Sequence, residues 1–272
     1  MPILVAGHYC HDTLIGNAST HRTLGGSSAY VSAILDALGE SHEVVAKVGA
    51  DFLYSAEVRR APIVAPGRTT AFVDDYRGGQ RRGRVEAIAP AIEPGDLRGR
   101  WEVGIACAIA GELPPRTLAR MREVCRILVA DAQAILREIA PEGEVRLRPP
   151  EPEALAVLDV LKTSREEAQL LDRAALPGRL TLVVTDGERG ASVFHAGGRV
   201  DVPASPAQEK DPTGAGDCFL AGFAAALARG MPLAAAGRLG AWCGARAVEH
   251  VGVPRLSPHE ARAGLLWAES GS

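Results

Sequence analysis

The sequence is poor in aromatic residues, in lysine and in net charge. Phenylalanine, tryptophan and tyrosine together make up 4% of its 272 residues, so the core must be mainly aliphatic. Lysine and arginine together number 30 against 33 acidic residues, which leaves a net charge of −3, and only three of the basic residues are lysines. A general polyanion binder carries a large basic excess. We therefore expect no nucleic-acid partner.

Cysteine pairs and long apolar runs are also missing. The five cysteines lie far apart, at positions 10, 107, 125, 218 and 243, and none belongs to a CxxC pair. Unpaired cysteines of this kind are typical of a reducing compartment. No window offers the roughly 18 apolar residues of a membrane span, and the run MPILVAG is too short for a signal peptide. These absences predict a soluble, cytoplasmic protein without a membrane partner.

Several familiar site signatures are absent. No glycine precedes a lysine, which excludes a Walker A loop, and no serine stands in a GxSxG context, which excludes an α/β-hydrolase elbow. The run 214–216 (GAG) continues with Asp217 and lies near the C-terminus, unlike a dinucleotide fingerprint. Residues 8–12 (HYCHD) lack the further ligands of a closed zinc site. Hydride transfer, serine hydrolysis and structural zinc are therefore not expected.

Apolar runs of strand length alternate with segments of helical periodicity along most of the chain. The predicted strands cover 3–6, 43–48, 103–109, 127–130, 155–161, 180–185, 191–195 and 199–202. The predicted helices cover 27–38, 114–125, 165–172, 213–229, 233–250 and 258–268. Such alternation is typical of βαβ units and predicts an α/β fold with a mostly parallel sheet. Gly39 is the expected stop of the first helix.

Two segments do not fit this alternation. Residues 13–24 form a polar excursion, and residues 68–92 contain two strand-like pieces joined by a glycine- and arginine-rich tip. Both segments suit a small β flap inserted into an α/β domain. The tip at 77–84 (RGGQRRGR) resembles an RNA-binding tract. Because it is one short copy between two strands, we interpret it as a solvated hairpin tip.

The segment richest in chemistry is 211–223, DPTGAGDCFLAGF. Its glycines let backbone N–H groups point into one concavity where a helix begins, and such a place binds anions. Asp217 then falls in the first helical turn, where a carboxylate could accept a hydroxyl proton while the amides hold phosphate charge. For an isolated GAGD, the favoured interpretation is a glycine-rich turn in which the aspartate stabilises the helix start. The residues alone therefore do not establish the catalytic interpretation.

Resemblance to a known family decides between them. DPTGAGD followed by AGF resembles the C-terminal signature of the ribokinase-like (PfkB) carbohydrate kinases. The run 24–26 (LGG) before a small-residue helix, 48–51 (VGAD) and 185–190 (TDGERG) are similar to further motifs of that family, in the same order. The resemblance implies a single kinase domain over 1–272, a three-layer α/β/α core and lid segments at about 13–24 and 68–92.

Within that family, the chain resembles the plant-type myo-inositol kinases. The similar segments are GHYCHDTLI, TLGGSSAYVSAILDALG, APIVAP with a following Thr-Thr pair, and LKTSREEA. Tyr30 stands where many sugar kinases carry an asparagine, and Ser164 replaces the asparagine of their NxxE motif, while Glu167 is retained. The resemblance therefore implies ATP-dependent phosphorylation of a polyol hydroxyl, that of myo-inositol, as a step of phytic acid biosynthesis.

The resemblance also implies a role for each matching residue. Asp217 would be the catalytic base; Gly214, Ala215 and Gly216 would form the anion hole; Asp12, Gly25, Gly26 and Tyr30 would bind substrate; Thr185, Asp186, Gly187, Gly190, Thr213, Gly214, Gly216 and Gly244 would contact the nucleotide; and Glu167 would organise Mg²⁺. Asp12 is expected at the end of the first strand. ATP and Mg²⁺ are the implied cofactors, a small polyol is the implied partner, and the lid would form a homodimer contact.

Two alternatives remain beside this interpretation. The acceptor could be another sugar or a nucleoside, which the motifs do not distinguish. The chain could also be a non-catalytic scaffold with a kinase fold, although its intact Asp217 and glycine run argue against that.

Overall fold

A computed structural model gives the fold of the protein and describes residues 2–17, 19–75, 77 and 82–270. The strands are β1 (Ile3–Ala6), β2 (Cys10–Ile15), β3 (Thr20–Gly25), β4 (His42–Val45), β5 (Lys47–Val48), β6 (Ile63–Val64), β7 (Ala71–Asp75), β8 (Arg82–Ala87), β9 (Trp101–Ala106), β10 (Cys125–Asp131), β11 (Arg137–Ile139), β12 (Val145–Leu147), β13 (Val160–Ser164), β14 (Thr181–Thr185), β15 (Ala191–His195) and β16 (Gly198–Val202). The α-helices are α1 (Ser27–Ala37), α2 (Pro115–Val124), α3 (Gln133–Leu136), α4 (Pro152–Val157), α5 (Ala215–Ala228), α6 (Leu233–Val248) and α7 (Pro258–Glu269).

A central sheet organises the molecule. Within the described residues it has eight strands in the order β16-β15-β14-β13-β10-β9-β1-β4. The strands from β14 to β4 run parallel, and β15 and β16 add an antiparallel hairpin at one edge. All four residues of β1 are buried, as expected for a parallel strand covered on both faces. The predicted fold class, α/β with a mostly parallel sheet, is confirmed.

Helices cover both faces of this sheet. Alternate residues of β1 enter separate cores: Ile3 and Val5 pack on one side, and Leu4 and Ala6 on the other. Helices α1, α5 and α6 form the first layer, with α7 packed against α6, while α2 and α4 cover the opposite face. Among the described residues, none of the helices is both long and apolar enough to cross a bilayer.

The two segments outside the alternation pair with each other in a second sheet. Its order is β3-β2-β7-β8, and β2 runs antiparallel to β3 but parallel to β7. We call this sheet the lid. Residues 78–81 of the tip expected at 77–84 lie outside the described residues. The structure corrects the position of Asp12: β1 already ends at Ala6, and Asp12 lies inside the lid strand β2, opposite Thr23.

Three expected elements differ in the structure. The run 43–48 is two strands, because the chain leaves the central sheet after Val45 and pairs with β6 instead. The segment 155–161 begins as helix α4, which a proline starts at its first turn, and only its end enters β13. The helix expected over 165–172 is the short 3₁₀ turn Glu167–Leu170, after which buried Leu171 takes an extended conformation.

Candidate active site

The candidate residues gather at one edge of the central sheet. Asp131, Ser164 and Thr185 are the last residues of three neighbouring parallel strands, and Ser164 is the register partner of Thr185. Asp186 and Glu167 follow the ends of β14 and β13 by one and three residues. Ligands of open α/β sheets bind outside the carboxyl ends of the strands. The fold therefore places these residues at the edge where a ligand is expected.

The GAGD segment forms the start of α5, as its glycines predict. The Thr213 N–H donates to Asp211 Oδ1 over 2.9 Å, which closes a turn just before the helix. Gly214 caps the helix with φ of +76°, a left-handed conformation that favours glycine. Asp217 lies in the first turn, where backbone N–H groups have no partner within the helix. This geometry suits an anion-binding site next to a carboxylate.

The Asp217 side chain is half-buried and held by uncharged donors. Gln133 Nε2 donates to Asp217 Oδ1 over 3.2 Å and also to Ser27 Oγ over 2.8 Å. Burial and the nearby carboxylate of Asp131 raise the pKa of Asp217 to about 6, although a hydrogen bond with Ser27 and the charge of Lys162 act in the opposite direction. A carboxylate with this pKa is ionised at neutral pH and still basic enough to accept a proton.

A buried ion pair lies directly behind this segment. Lys162 Nζ donates to Asp131 Oδ2 over 2.8 Å, and both side chains are less than a tenth exposed. A β-carbon added to Gly216 would lie 2.5 Å from Lys162 Nζ. A side chain at this position would therefore displace the ammonium group of Lys162. Burial lowers the pKa of Lys162, but the charge and hydrogen bond of Asp131 outweigh it, so the pKa is raised overall.

The start of α1 packs against the start of α5. A β-carbon at Gly214 would lie 2.1 Å from the Tyr30 ring, so the ring packs directly against the backbone of the GAGD turn. At Gly25, on the lid side, a β-carbon would lie 1.8 Å from Asp12 Oδ2. Burial raises the pKa of Tyr30 strongly, and the charges of Asp12 and Asp217 add to the increase. The two carboxylates therefore lie on the same side of the molecule, around one phenol.

Gly26 is required by the fold itself. Its φ is +89°, and a β-carbon there would lie 2.4 Å from the His8 carbonyl oxygen. Contact of Gly25, Gly26 or Tyr30 with a substrate stays a prediction.

Ser164 and Glu167 bind each other reciprocally. The Ser164 N–H donates to Glu167 Oε2 over 2.7 Å, and the Glu167 N–H donates to Ser164 Oγ over 3.1 Å. This arrangement is a capping box, and it holds the carboxylate of Glu167 near the end of β13. Next to it, Arg165 and Arg189 both donate to Asp186, at 2.7 Å and 2.6 Å, and hold the pKa of Asp186 at about 2. The two arginines leave Asp186 firmly ionised.

Two of the three remaining glycines predicted to contact a nucleotide, Gly190 and Gly244, occupy tight places. Gly187 and Gly190 have φ of +54° and +86°, and a β-carbon at Gly190 would lie 2.1 Å from the Val202 carbonyl oxygen. At Gly244, in α6, a β-carbon would lie 3.1 Å from the Ala215 carbonyl oxygen. The Gly244 contact brings α6 close to the start of α5, and the Gly190 contact places Gly190 against the end of β16. They explain the glycines structurally and leave the nucleotide contact a prediction.

Comparison with known proteins decides the family. Residues 101–260 match the model of the pfkB family carbohydrate kinases. The chain belongs to this family. It is therefore a phosphotransferase that acts on an alcohol group. The family's match covers the sheet edge described above and the start of α5.

The chain is similar to several characterised members. It is 36% identical to inositol 3-kinase of Arabidopsis thaliana over 93% of this chain and 76% of that protein. It is 40% identical to inositol 3-kinase of Oryza sativa subsp. japonica over 94% and 70% of the two chains. A pyrophosphate-dependent ribokinase-family kinase, solved with a pyrophosphate analogue and myo-inositol, matches with a TM-score of 0.81 at 22% identity, over 96% and 99% of the chains. At that identity the structural match supports the fold alone.

Sequence reasoning missed four residues around Asp217. They are Ser27, Asp131, Gln133 and Lys162. One signal was present in the sequence: Lys162 is one of only three lysines and stands in an apolar strand, VLKTS, where a charge needs a partner. The partner was not evident, because Asp131 lies 31 residues earlier and becomes a neighbour only through the register of β10 with β13.

Proposed function

We propose that this pfkB-family protein transfers the γ-phosphoryl group of ATP to a hydroxyl of myo-inositol. The observation that carries the proposal is the half-buried carboxylate of Asp217 at the start of α5, in a chain 36% and 40% identical to inositol 3-kinases. The product would be a myo-inositol monophosphate, an early compound of phytic acid biosynthesis. The five cysteines are all unpaired, and this supports a cytoplasmic location.

In the proposed mechanism, Asp217 accepts the proton of the attacking hydroxyl. The amides in the first turn of α5 lie where negative charge develops on the transferring phosphoryl group and stabilise it. Gln133 fixes the orientation of the carboxylate by donating to its Oδ1. Gly214, in its left-handed conformation, caps the start of this turn. Positioning and charge stabilisation are the main contributions that a protein makes to phosphoryl transfer.

The residues present fit a phosphate-bound magnesium ion. Among the described residues, no group of three or more His, Cys, Asp or Glu side chains could hold a metal by itself. Mg²⁺ is usually bound through substrate phosphates and waters with one or two carboxylates, so a full protein cage is not required. Glu167, held by Ser164 at the end of β13, would supply such a carboxylate. The ion would neutralise charge on the phosphates.

The lid supplies the proposed acceptor site. Asp12 projects from β2 over Gly25, at the base of the lid, and a charged acceptor there suits two adjacent hydroxyls of a cyclitol. Closing the lid over the acceptor would exclude water and so limit ATP hydrolysis. A homodimer contact through the same lid is part of this proposal.

The test is a phosphorylation assay with purified protein over a panel of acceptors and donors. The acceptors are myo-inositol, other inositols, hexoses, pentoses and nucleosides, each with ATP and with pyrophosphate. We expect the highest kcat/KM with myo-inositol and ATP. A higher value with a furanose sugar or a nucleoside would overturn the inositol assignment and leave the kinase assignment intact. Phosphoryl transfer to none of the acceptors from either donor would favour the scaffold alternative.

A further inference from the structure

The buried pair of Asp131 and Lys162 has no evident structural purpose. The two residues are register partners on the neighbouring parallel strands β10 and β13, and their charged groups lie 2.8 Å apart. Their side chains are 3% and 8% exposed. Desolvating two charges costs about as much as their attraction returns, and apolar residues of similar size are often at least as stable. A reason for keeping the pair must therefore be sought in what surrounds it.

The pair is connected to Asp217 on two sides. On one side, Lys162 Nζ lies directly behind Gly216, 2.5 Å from where a β-carbon would be, next to the residue that carries the proposed base. On the other side, the Gln133 N–H donates to Asp131 Oδ1 over 3.2 Å, and Gln133 Nε2 donates to Asp217 over 3.2 Å. A continuous set of contacts thus joins Lys162, Asp131, Gln133 and Asp217.

The charges that face Asp217 come from three strands. They are the carboxylate of Asp131, the ammonium of Lys162 and the guanidinium of Arg137. The thiols of Cys10, Cys107 and Cys218 and the phenol of Tyr30 also face it, and burial raises their pKa values so that they stay neutral near neutral pH. Asp131 disfavours ionisation of Asp217, whereas Lys162 and Arg137 favour it. The pair therefore applies two opposing charges to one carboxylate.

We propose that Asp131 and Lys162 are positioning residues that together set the pH range in which Asp217 is ionised and support the Gly216 backbone from behind. This inference rests on the proposed role of Asp217 as the base. Neither residue of the pair touches a substrate in this role. Lys162 keeps Asp217 ionised at neutral pH, and Asp131 limits that effect so that the carboxylate stays basic.

The experiment compares the pH dependence of kcat/KM for myo-inositol at saturating ATP in three variants. Lys162→Met removes a positive charge that favours ionisation of Asp217, so the acid limb of the pH profile should move to higher pH. Asp131→Asn removes a negative charge that disfavours ionisation of Asp217, so the acid limb should move to lower pH. Shifts of about one pH unit are expected when one neighbouring charge is removed. The double variant should return toward the wild-type limb. The terminal phosphate of ATP also titrates in this pH range, but it does so identically in every assay. The test therefore uses only the differences in the acid limb between the variants and the wild type.

Lys47→Met is the matched control. Lys47 also forms a partly buried pair, with Asp96 at 2.7 Å, but it lies away from Asp217 and should leave the acid limb unchanged. A role limited to structure predicts a different outcome: Lys162→Met and Asp131→Asn would lower activity equally at all pH values, with the limb in place. That outcome, or shifts of both variants in the same direction, would overturn the proposal.

A second measurement does not depend on activity. In protein labelled with ¹³C at aspartate carboxyl groups, the NMR signal that disappears in Asp217→Asn can be titrated without substrate. Its midpoint should be higher in Lys162→Met and lower in Asp131→Asn than in the wild type. Equal midpoints in all three proteins would contradict the proposal. Near-normal turnover of Asp217→Asn would instead contradict the proposed function of Asp217, so the two failures are distinguishable.

Discussion

The ring of Tyr30 lies directly against the α-carbon of Gly214. A β-carbon at position 214 would fall 2.1 Å from Cδ1 of the ring, closer than any real contact. Tyr30 belongs to the buried core on one side of the sheet and cannot move aside without disturbing α1. The first turn of α5 is therefore held from one side by a rigid aromatic wall and from behind by Lys162.

We predict that Gly214→Ala will cost more than backbone strain alone. A residue with a β-carbon at a left-handed position costs about 1–2 kcal/mol, and here the clash with Tyr30 adds to it. Gly230→Ala is the matched control, because Gly230 has a similar φ of +71° and nothing within 4 Å of its missing β-carbon. Urea unfolding and kcat should both be affected more in Gly214→Ala. Equal losses of stability in the two variants would show that the ring yields easily.

Asp217→Asn should lower kcat by about 10²–10⁴, because the amide keeps the shape of the carboxylate but cannot accept a proton. Affinity for ATP should change little, since the backbone amides of the turn remain. Steady-state kinetics and equilibrium ATP binding measure the two effects. Asp201→Asn, at an exposed aspartate paired with Arg199 in the β15–β16 hairpin, is the control and should leave kcat unchanged. Turnover near the wild-type value would exclude Asp217 as the base.

The same substitution should stabilise the protein in a pH-dependent way. The pKa of Asp217 is raised to about 6 in the folded protein from a reference value of 3.8. Its ionised form is therefore unfavourable in the fold, and this destabilisation is fully present above about pH 6 and lost as the pH falls toward 4. Urea unfolding should show Asp217→Asn more stable than the wild type at pH 8, with the difference shrinking at pH 5. A difference that grows with acidity would contradict the raised pKa.

Glu167→Gln should raise the Mg²⁺ concentration needed for half-maximal rate. EDTA should abolish activity, and added Mg²⁺ should restore it, because phosphate oxygens require a hard divalent cation. Glu166→Gln is the control, since Glu166 lies between Ser164 and Glu167 in the sequence but its exposed side chain takes no part in their contact. An Mg²⁺ dependence that is the same in both variants would show that Glu167 acts only as the cap of its 3₁₀ turn.

Asp12→Ala should lower kcat/KM for myo-inositol mainly through KM. Losing a hydrogen bond to a charged group costs about 1.5–3 kcal/mol, or one to two decades in affinity. Binding of ATP should not change. Thr13→Ala, the next residue of β2, faces the opposite side of the lid and is the control. If Asp12→Ala reduced kcat and left KM unchanged, Asp12 would not be a ground-state contact of the acceptor.

Much of the architecture could be predicted from local patterns. The parallel strands β1, β9, β10 and β14 and the helices α1, α5, α6 and α7 follow from apolar periodicity and from glycine stops such as Gly39, whose φ is +73°. The elements that were predicted wrongly lie where tertiary contacts outweighed the local preference of the chain for a helix or a strand. The turn after β13 is limited to one 3₁₀ segment by the Ser164–Glu167 contact and by burial of Leu171.

The sequence by itself determined the family, the start of α5 and the position of Asp217 in its first turn, because all three depend on residues adjacent in the chain. Only the tertiary structure decided what surrounds that carboxylate. Gln133 is 84 residues away from Asp217, and Lys162 meets Asp131 across two strands whose register no local pattern specifies. Asp12 likewise comes to lie against Gly25 only through the pairing of β2 with β3. Periodicity reports which face of an element is buried, whereas the identity of its neighbours depends on how distant elements pair.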